Sequence, residues 1–357
     1  MQLFRRLTMK NNTSTLFFQY SNEFLHRYIP LQRGMSANTE KAYCDGLTLF
    51  HRYALEVHGF GVDKLTFEQI DFVFMNGFID WLDKPKNGRK KGDSAATKNH
   101  RIAAIRSYAK FAMSKDISVS SAWISMKKII PVKGEKADRP AMSEDAIAAM
   151  LRQPSTETKK GIRNLCLMIV LYDSAGRISE VLGLKKKDIR LEGEHPQIFI
   201  SGKGRKERPI PLMPRTVKHL KAYLAVYHDQ CEVQPPYLFY SVIKGVAGQL
   251  SQDCISKMLK KYAVTARLEC SEMPDNIYCH MFRRTRATHM YQQGADIYLI
   301  SSFLGHEQIE TTKQYTKPSM QQIKAALEAS SSKDKSGKPI VPEKYEERLA
   351  RICGLRR

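Results

Sequence analysis

The sequence predicts a mainly α protein in two domains. An all-α N-terminal domain precedes an α+β domain that is mostly helical with a small antiparallel sheet. Three observations carry that expectation. Apolar residues recur at helical steps through most of the chain. Residues 129–142 (IIPVKGEKADRPAM) break that period and carry Pro131, Gly134 and Pro140, the composition of a linker. Residues 197–201 and 207–212 have strand composition and flank a tight Gly-Lys-Gly-Arg-Lys turn, the pattern of a β-hairpin with Lys203 near its tip.

The elements follow in order. Residues 1–13 are polar and basic and are expected to be frayed. Over 38–58, Tyr43, Leu47, Phe50, Ala54 and Val57 recur at steps of 4, 3, 4 and 3, one face of an amphipathic helix that Gly59 and Gly61 end. A shorter helix is expected over 67–82, then a basic turn-forming loop at 84–91. Over 94–114, Ile102, Ile105, Ala109 and Ala112 face inward, with Lys98, Arg101, Arg106 and Lys110 on other faces. The first domain is therefore placed at 14–128 and the linker at 129–142. Ser143 is a predicted N-cap for a helix through Arg152. An apolar helix pair follows at 160–184, split near Gly176. Beyond the hairpin, helices are expected at 214–230, 251–268 and 281–293, and shorter ones at 296–304, 308–315 and 319–328. The second domain spans 143–328. A tail, 329–357, has a polar spacer and a last short helix at 343–353, with Tyr345, Leu349 and Ile352 at steps of 4 and 3.

Charge narrows the partner. The 357 residues include 58 Lys+Arg against 36 Asp+Glu, a net +22, which predicts a polyanionic partner, nucleic acid first. A chain that is 42% hydrophobic has enough apolar material for real cores, which excludes disorder throughout. No apolar run approaches the roughly 18 residues of a membrane span. Arg5 and Arg6 are not followed by a signal-peptide apolar segment. The seven cysteines are scattered with no Cys-x-x-Cys pair, so neither a disulfide framework nor a zinc site is expected, and a reducing cytosol is the simplest home.

Four segments of the second domain carry chemistry. The first runs Ser174-Ala-Gly-Arg-Ile-Ser-Glu and places Arg177 at a glycine-marked break between helices. The second is Ser201-Gly-Lys-Gly-Arg-Lys-Glu-Arg, with Lys203. The third is His280-Met-Phe-Arg-Arg-Thr-Arg, whose i, i+3 spacing puts His280 and Arg283 on one helical face. The fourth runs from Leu304-Gly-His to Tyr315, with His306 nine residues before the Tyr. Each alone has an ordinary reading: a helix-end charge, a hairpin turn, a surface helix pair, a packed Tyr. Together they suit phosphoryl transfer. A phosphodiester under attack builds negative charge on its non-bridging oxygens. Two guanidinium forks can hold those oxygens and stay charged at any working pH. A Tyr hydroxyl becomes a nucleophile when a base or nearby positive charge favours phenolate. A Lys in a cationic pocket can protonate the leaving alkoxide. No metal is required, and no carboxylate cluster of the two-metal nuclease kind is present in the sequence.

These segments resemble, in order, the Arg…Lys…His-x-x-Arg…His…Tyr signature of the tyrosine recombinase (phage integrase) family. The Leu-Gly-His…Tyr piece is the most specific. The motifs span 174–315, and with the all-α region resembling the family's core-binding domain the likeness covers roughly 14–328. The resemblance implies that Tyr315 is the nucleophile forming a 3′-phosphotyrosyl link, that Arg177 and Arg283 clamp the scissile phosphate, and that Lys203 protonates the departing 5′-oxygen. It implies that His280 accepts the Tyr315 proton, that His306 hydrogen-bonds the phosphate, and that Glu180 is the carboxylate supporting the pocket.

The resemblance further implies a DNA strand transferase without cofactor or metal. Such enzymes work as homo-tetramers on two double-stranded DNA sites, through a Holliday junction, with accessory DNA-binding proteins in some members. The setting would be the nucleoid of a prokaryotic cell, with no membrane partner. Phosphate contacts would come from Lys84, Lys86, Arg89, Lys90 and Lys91 of the basic loop, and from Lys98, Arg101, Arg106 and Lys110. The final helix is similar to tails that dock on a neighbouring subunit. The 13 residues before the first domain leave no room for a lambda-type arm-binding domain, which points to the two-domain kind of recombinase.

Some positions depart from the family pattern. Ala175 stands where Gly-x-Arg is usual. Arg284 and Arg286 replace a His and an apolar or aromatic residue, either to add a phosphate contact or, for Arg286, to point to solvent. Arg205 and Lys206 rival Lys203, which fits Gly-Lys-Gly best. Two other functions stay open on the residues: relaxation of DNA in the manner of a type IB topoisomerase, and non-catalytic DNA binding by a regulator.

Overall fold

The structure is a computed structural model and describes residues 15–85, 91–134, 140–202, 207–229, 231, 235–306, 308–313, 315, 324, 348 and 350–353. The chain divides into two compact units, Met1–Ala137 and Asp138–Arg357. Lys86, Arg89, Lys90, Lys203, and most of the expected helices at 319–328 and 343–353 lie outside the described residues.

The N-terminal unit is all α. Helix α1 (Leu16–Glu23) runs into a wider π-helical stretch, Phe24–Gln32, which contains Pro30. Then come α2 (Ala37–His58), α3 (Phe72–Asp83), α4 (Ala95–Lys115) and α5 (Ser120–Lys128). Helices α2, α3 and α4 start at Ser36, Asp71 and Ser94, each of which accepts an orphan backbone N–H. Gly59 ends α2 in the left-handed region at φ 69, where a side chain would be strained. The core is aromatic: Phe50 is fully buried and its ring meets those of Phe17, Phe74 and Phe78. Leu47, Phe50 and Ala54 face inward as their spacing predicts, but Val57 is 52% exposed and Tyr53 takes the buried place. The last turn of α2 rotates so that Tyr53 and His58 pack on Phe74. Gly46 lets α2 approach α4, since a Cβ there would lie 3.2 Å from that of Ala104.

The C-terminal unit is built around α7 (Lys159–Asp173), which is buried on every side from Asn164 to Leu171. Helix α6 (Glu144–Arg152) precedes it and is capped by Ser143, as expected. After α7 come the short α8 (Ile178–Leu182), strands β1 (Ile189–Arg190), β2 (Gln197–Ser201) and β3 (Glu207–Pro211), and α9 (Pro214–Tyr227). The sheet is antiparallel in the order β1-β2-β3, with Ile198 opposite Ile210 and Ser201 opposite Glu207. Ile198, Ile200 and Ile210 are buried beneath it. Pro209 and Pro211 are tolerated because β3 is an edge strand. The hairpin β4 (Tyr240–Ile243) and β5 (Val246–Gln249) follows, and sequence patterning did not predict it. Its two-residue turn, Lys244-Gly245, has both φ values positive (50 and 79), the geometry that suits strand twist. The unit closes with α10 (Gln252–Glu269), α11 (Cys279–Gln292), α12 (Ile297–Leu304) and α13 (Glu310–Lys313). No helix is long and apolar enough to cross a membrane among the described residues.

Candidate active site

The four segments singled out from the sequence contribute to one site in the C-terminal unit. Its floor is the break between α7 and α8. Ser174 ends α7, donating its hydroxyl to the Val170 carbonyl at 2.5 Å and accepting the Gly176 N–H at 3.1 Å. Ala175 is fully buried at φ 45, left-handed backbone that costs an L-residue roughly 1–2 kcal/mol. This explains why Ala175 is a departure: the position suits glycine. Gly176 admits no side chain, since a Cβ would lie 2.7 Å from Val181.

The turn delivers Arg177 to the N-terminus of α8. Glu180 closes the turn from below, accepting the Arg177 backbone N–H (2.9 Å) on one oxygen and Arg177 Nη1 (2.7 Å) on the other. Arg208 of β3 reaches the same carboxylate at 2.9 Å. Burial pushes the Glu180 pKa up, but the hydrogen bonds from Arg208 and Arg177 outweigh it and hold the carboxyl below its ordinary value. Glu180 is thus an ionised strut, and Arg177 keeps 41% of its side chain exposed.

Helix α11 brings His280 and Arg283 in on one face. Arg283 is 1% exposed, an unusual burial for a cation. Its Nη1 donates to the Ala175 carbonyl and its Nη2 to the Leu304 carbonyl, both at 2.7 Å, which ties the first motif to the last. Burial first, then repulsion from Arg177, lowers its pKa to about 10, so it remains a cation at neutral pH. Its buried Nε has no hydrogen-bond partner among the described residues.

Gly305 ends α12 at φ 64 and turns the chain toward His306. Arg208 lies against this turn, 3.1 Å from where a Gly305 Cβ would sit. His306 Nδ1 is 2.7 Å from the Thr312 hydroxyl. Burial, then the charges of Arg283, Arg177, His280 and Arg208, pushes the His306 pKa down to about 4. The Thr312 carbonyl accepts the Tyr315 N–H at 2.9 Å. Tyr315 is 3% exposed, and its hydroxyl lies 3.4 Å from His280 Nε2. The guanidinium of Arg284 sits 5.4 Å from the Tyr315 ring centroid.

Arg177, Glu180, His280, Arg283, His306 and Tyr315 are therefore brought together. Lys203 lies outside the described residues, between strands that end at Ser201 and resume at Glu207. Two neighbours of the site escaped sequence reading. Arg208 sat unremarked beside Arg205 and Lys206 in one basic run, and only the strand register separates it from them. Thr312 is an unremarkable threonine until the turn after α12 folds it under His306. Arg286 does not point to solvent: its guanidinium lies 5.2 Å from the Tyr172 ring, with Nε buried. Among the described residues, no group of three or more His, Cys, Asp or Glu is placed to hold a metal ion.

In the N-terminal unit, the residues expected to face DNA divide. Lys84, Lys91 and Lys110 are exposed. Lys98 is buried and paired to Asp83 at 2.6 Å, Arg101 is paired to Asp93, and Arg106 donates to the Met126 and Ile129 carbonyls at the end of α5. Expected to contact phosphate from the helix's other faces, these three have their side chains engaged within the unit instead. Asp83 and Asp93 flank the start of α4 and give Lys98 and Arg101 an opposite charge to close on.

The sequence matches the phage integrase family over residues 140–322 and that family's N-terminal SAM-like domain over residues 22–116. Among curated relatives, the tyrosine recombinase XerC of Staphylococcus epidermidis is 27% identical over 83% of this chain and 92% of its own. The tyrosine recombinase XerD of Staphylococcus aureus is 27% identical over 84% of this chain and 94% of its own. The XerH site-specific recombinase, solved in a post-cleavage complex with its palindromic difH substrate, shares the fold. It has a TM-score of 0.64 and 23% identity, over 93% of each chain. With the integrase match spanning half of the sequence and the SAM-like match lying in the N-terminal unit, this chain belongs to the phage integrase family of tyrosine recombinases.

Proposed function

We propose that this chain is a site-specific DNA recombinase that breaks and rejoins strands through a 3′-phosphotyrosyl link at Tyr315. The observation that carries this is the Tyr315 hydroxyl 3.4 Å from His280 Nε2, beside a guanidinium that burial has fixed in place. The Tyr315 oxygen attacks phosphorus as its proton passes to His280 Nε2. The bond from phosphorus to the 5′-oxygen breaks, and Lys203 protonates that oxygen. Arg177 and Arg283 hold the non-bridging oxygens as charge builds there, and His306 donates a hydrogen bond to one of them. Three guanidinium groups, those of Arg177, Arg208 and Arg283, face one carboxylate, Glu180, so the pocket keeps positive charge for a phosphate. The ester conserves the energy of the broken bond, and the 5′-hydroxyl of another strand can reverse the step.

The finer parts of the reading go with it: two double-stranded DNA sites held by a homo-tetramer, a Holliday junction between the two strand exchanges, accessory DNA-binding proteins, and work on a mobile element in the prokaryotic cytoplasm. The XerH recombinase, which shares the fold and is bound to its difH substrate after cleavage, supports strand cleavage by analogy of fold.

The test uses nicked suicide duplexes drawn from the DNA flanking the gene, incubated with the protein and EDTA and run on a denaturing gel. A covalent adduct is expected, lost in Tyr315→Phe while binding is retained. Tight binding without an adduct would instead favour a non-catalytic DNA-binding protein. Relaxation of supercoiled plasmid by monomers would favour a topoisomerase.

A further inference from the structure

We propose that Thr312 is a positioning residue that holds His306 in the tautomer with its proton on Nε2. The inference rests on the recombinase reading for its consequence but not for its geometry. Thr312 is fully buried, and its hydroxyl has one partner among the described residues, His306 Nδ1 at 2.7 Å. A hydroxyl always carries a donor, and a buried donor left unmade is costly. The Thr312 proton therefore goes to Nδ1, which must accept it. A neutral imidazole that accepts at Nδ1 carries its own proton at Nε2.

The ring is neutral for a separate reason. Burial and the charges of Arg283, Arg177, His280 and Arg208 hold its pKa near 4. Without a fixed tautomer, a neutral ring would present a lone pair rather than a donor for part of the time. A lone pair facing a phosphate oxygen repels it, whereas Nε2–H stabilises it.

The same residue sets the nucleophile. The Thr312 carbonyl accepts the Tyr315 N–H at 2.9 Å, and its N–H donates to the Ile309 carbonyl at 2.8 Å. The His306 and Tyr315 rings stand 6.1 Å apart with planes 26° from parallel. Side chain and backbone of one threonine thus hold the phosphate donor and the attacking group in register.

The test is spectroscopic first. Full-length protein labelled with ¹⁵N-histidine is examined at pH 7 by long-range ¹H–¹⁵N correlation, with His306 assigned by its loss in His306→Gln. The wild-type ring is expected to show a protonated Nε2 and a bare Nδ1. Thr312→Val, which keeps the shape and removes the hydroxyl, should show a mixture of tautomers, and Thr312→Ser should restore the wild-type pattern. In the suicide-duplex assay, Thr312→Val should form adduct on the order of 10-fold more slowly, less than the ~10²–10³ expected for deleting a donor outright. Thr312→Ser should stay near wild type.

A wild-type spectrum with the proton on Nδ1 would overturn the proposal. So would a folded Thr312→Val protein with an unchanged tautomer. Absence of adduct in the wild type would count against the recombinase reading alone, because the wild-type spectrum still decides the role of Thr312.

Discussion

In the N-terminal unit, Lys98 and Arg101 are closed onto Asp83 and Asp93, so each charge meets an opposite charge. In the C-terminal unit, Arg283 is buried more deeply than either, yet its partners are the neutral carbonyls of Ala175 and Leu304. Carbonyls fix a guanidinium without cancelling it. Carboxylates fix it and cancel it. Burial alone therefore does not tell a structural cation from one held for an anion, whereas the balance of charge around it does: Arg177 pairs with Glu180, but that one carboxylate is shared with Arg208 and leaves net positive charge. Arg106 shows the limit of the rule: it too binds carbonyls, but those of Met126 and Ile129 at the C-terminal end of α5, where a cation satisfies the helix end.

The largest expected effects follow from that contrast. Arg177→Ala and Arg283→Ala should each slow adduct formation by roughly 10²-fold or more, as lost stabilisers of a developing oxyanion do. The two should differ in stability. Arg177 is part-exposed, and its removal takes one of two guanidiniums from the buried Glu180, which keeps Arg208, so the unfolding midpoint should fall only slightly. Arg283→Ala leaves two buried carbonyls unpaired, at about 1–3 kcal/mol each, so its midpoint should fall. Arg283→Lys keeps charge but cannot bridge both carbonyls, and should recover little of either property. Equal midpoints for the two alanine variants, by denaturant titration, would break the idea that Arg283 joins the first motif to the last.

A smaller effect concerns pH. An unfolded His takes its proton near 6.5, whereas His306 in the fold takes it near 4. Between those values the unfolded state binds more protons, so stability falls as pH falls through that window. Burial lowers His289, His219 and His51 in the same direction, so the wild-type slope is shared among them. His306→Gln should flatten it in part. Denaturant midpoints at pH 7 and pH 5 check this, and an unchanged slope in His306→Gln would show that the ring is not desolvated by its setting.

What was legible in the sequence follows the range of the signal. Periodicity located α2 and α4 to within a residue, because core packing imposes the 3.6 repeat along the whole helix. The order of the motifs pointed to Arg177, His280, Arg283, His306 and Tyr315, which the fold brings together, because residue types suited to one chemistry recur in that order. Lys98 was misplaced because periodicity reports which face a residue occupies, not whether Asp83 waits beside it. The β4–β5 hairpin was missed because its strands are four residues each, with Val242, Ile243 and Val246 exposed, and lack the alternation that a buried face imposes. Arg208 acts through a contact made only when distant segments meet, and Thr312 through the turn that folds it under His306, which composition and periodicity do not mark.

The smallest prediction tests the comparison within α4 itself. Lys98 and Lys110 lie on the same helix, but Lys98 is 8% exposed with its head on Asp83 and Lys110 is open to solvent. A lysine bound to a phosphate releases about one counterion, so its loss lowers the slope of log K against log salt by about 1. If Lys110 meets DNA, Lys110→Ala should show that reduction with no loss of stability. Lys98→Met keeps the buried stem and frees Asp83 to water, so its salt slope should stay at the wild-type value, with a stability change within about 1 kcal/mol. Filter binding over a salt series measures both. A drop in slope for Lys98→Met equal to that for Lys110→Ala would mean that DNA draws Lys98 away from Asp83, and the distinction between cancelled and available charge in this helix would fail.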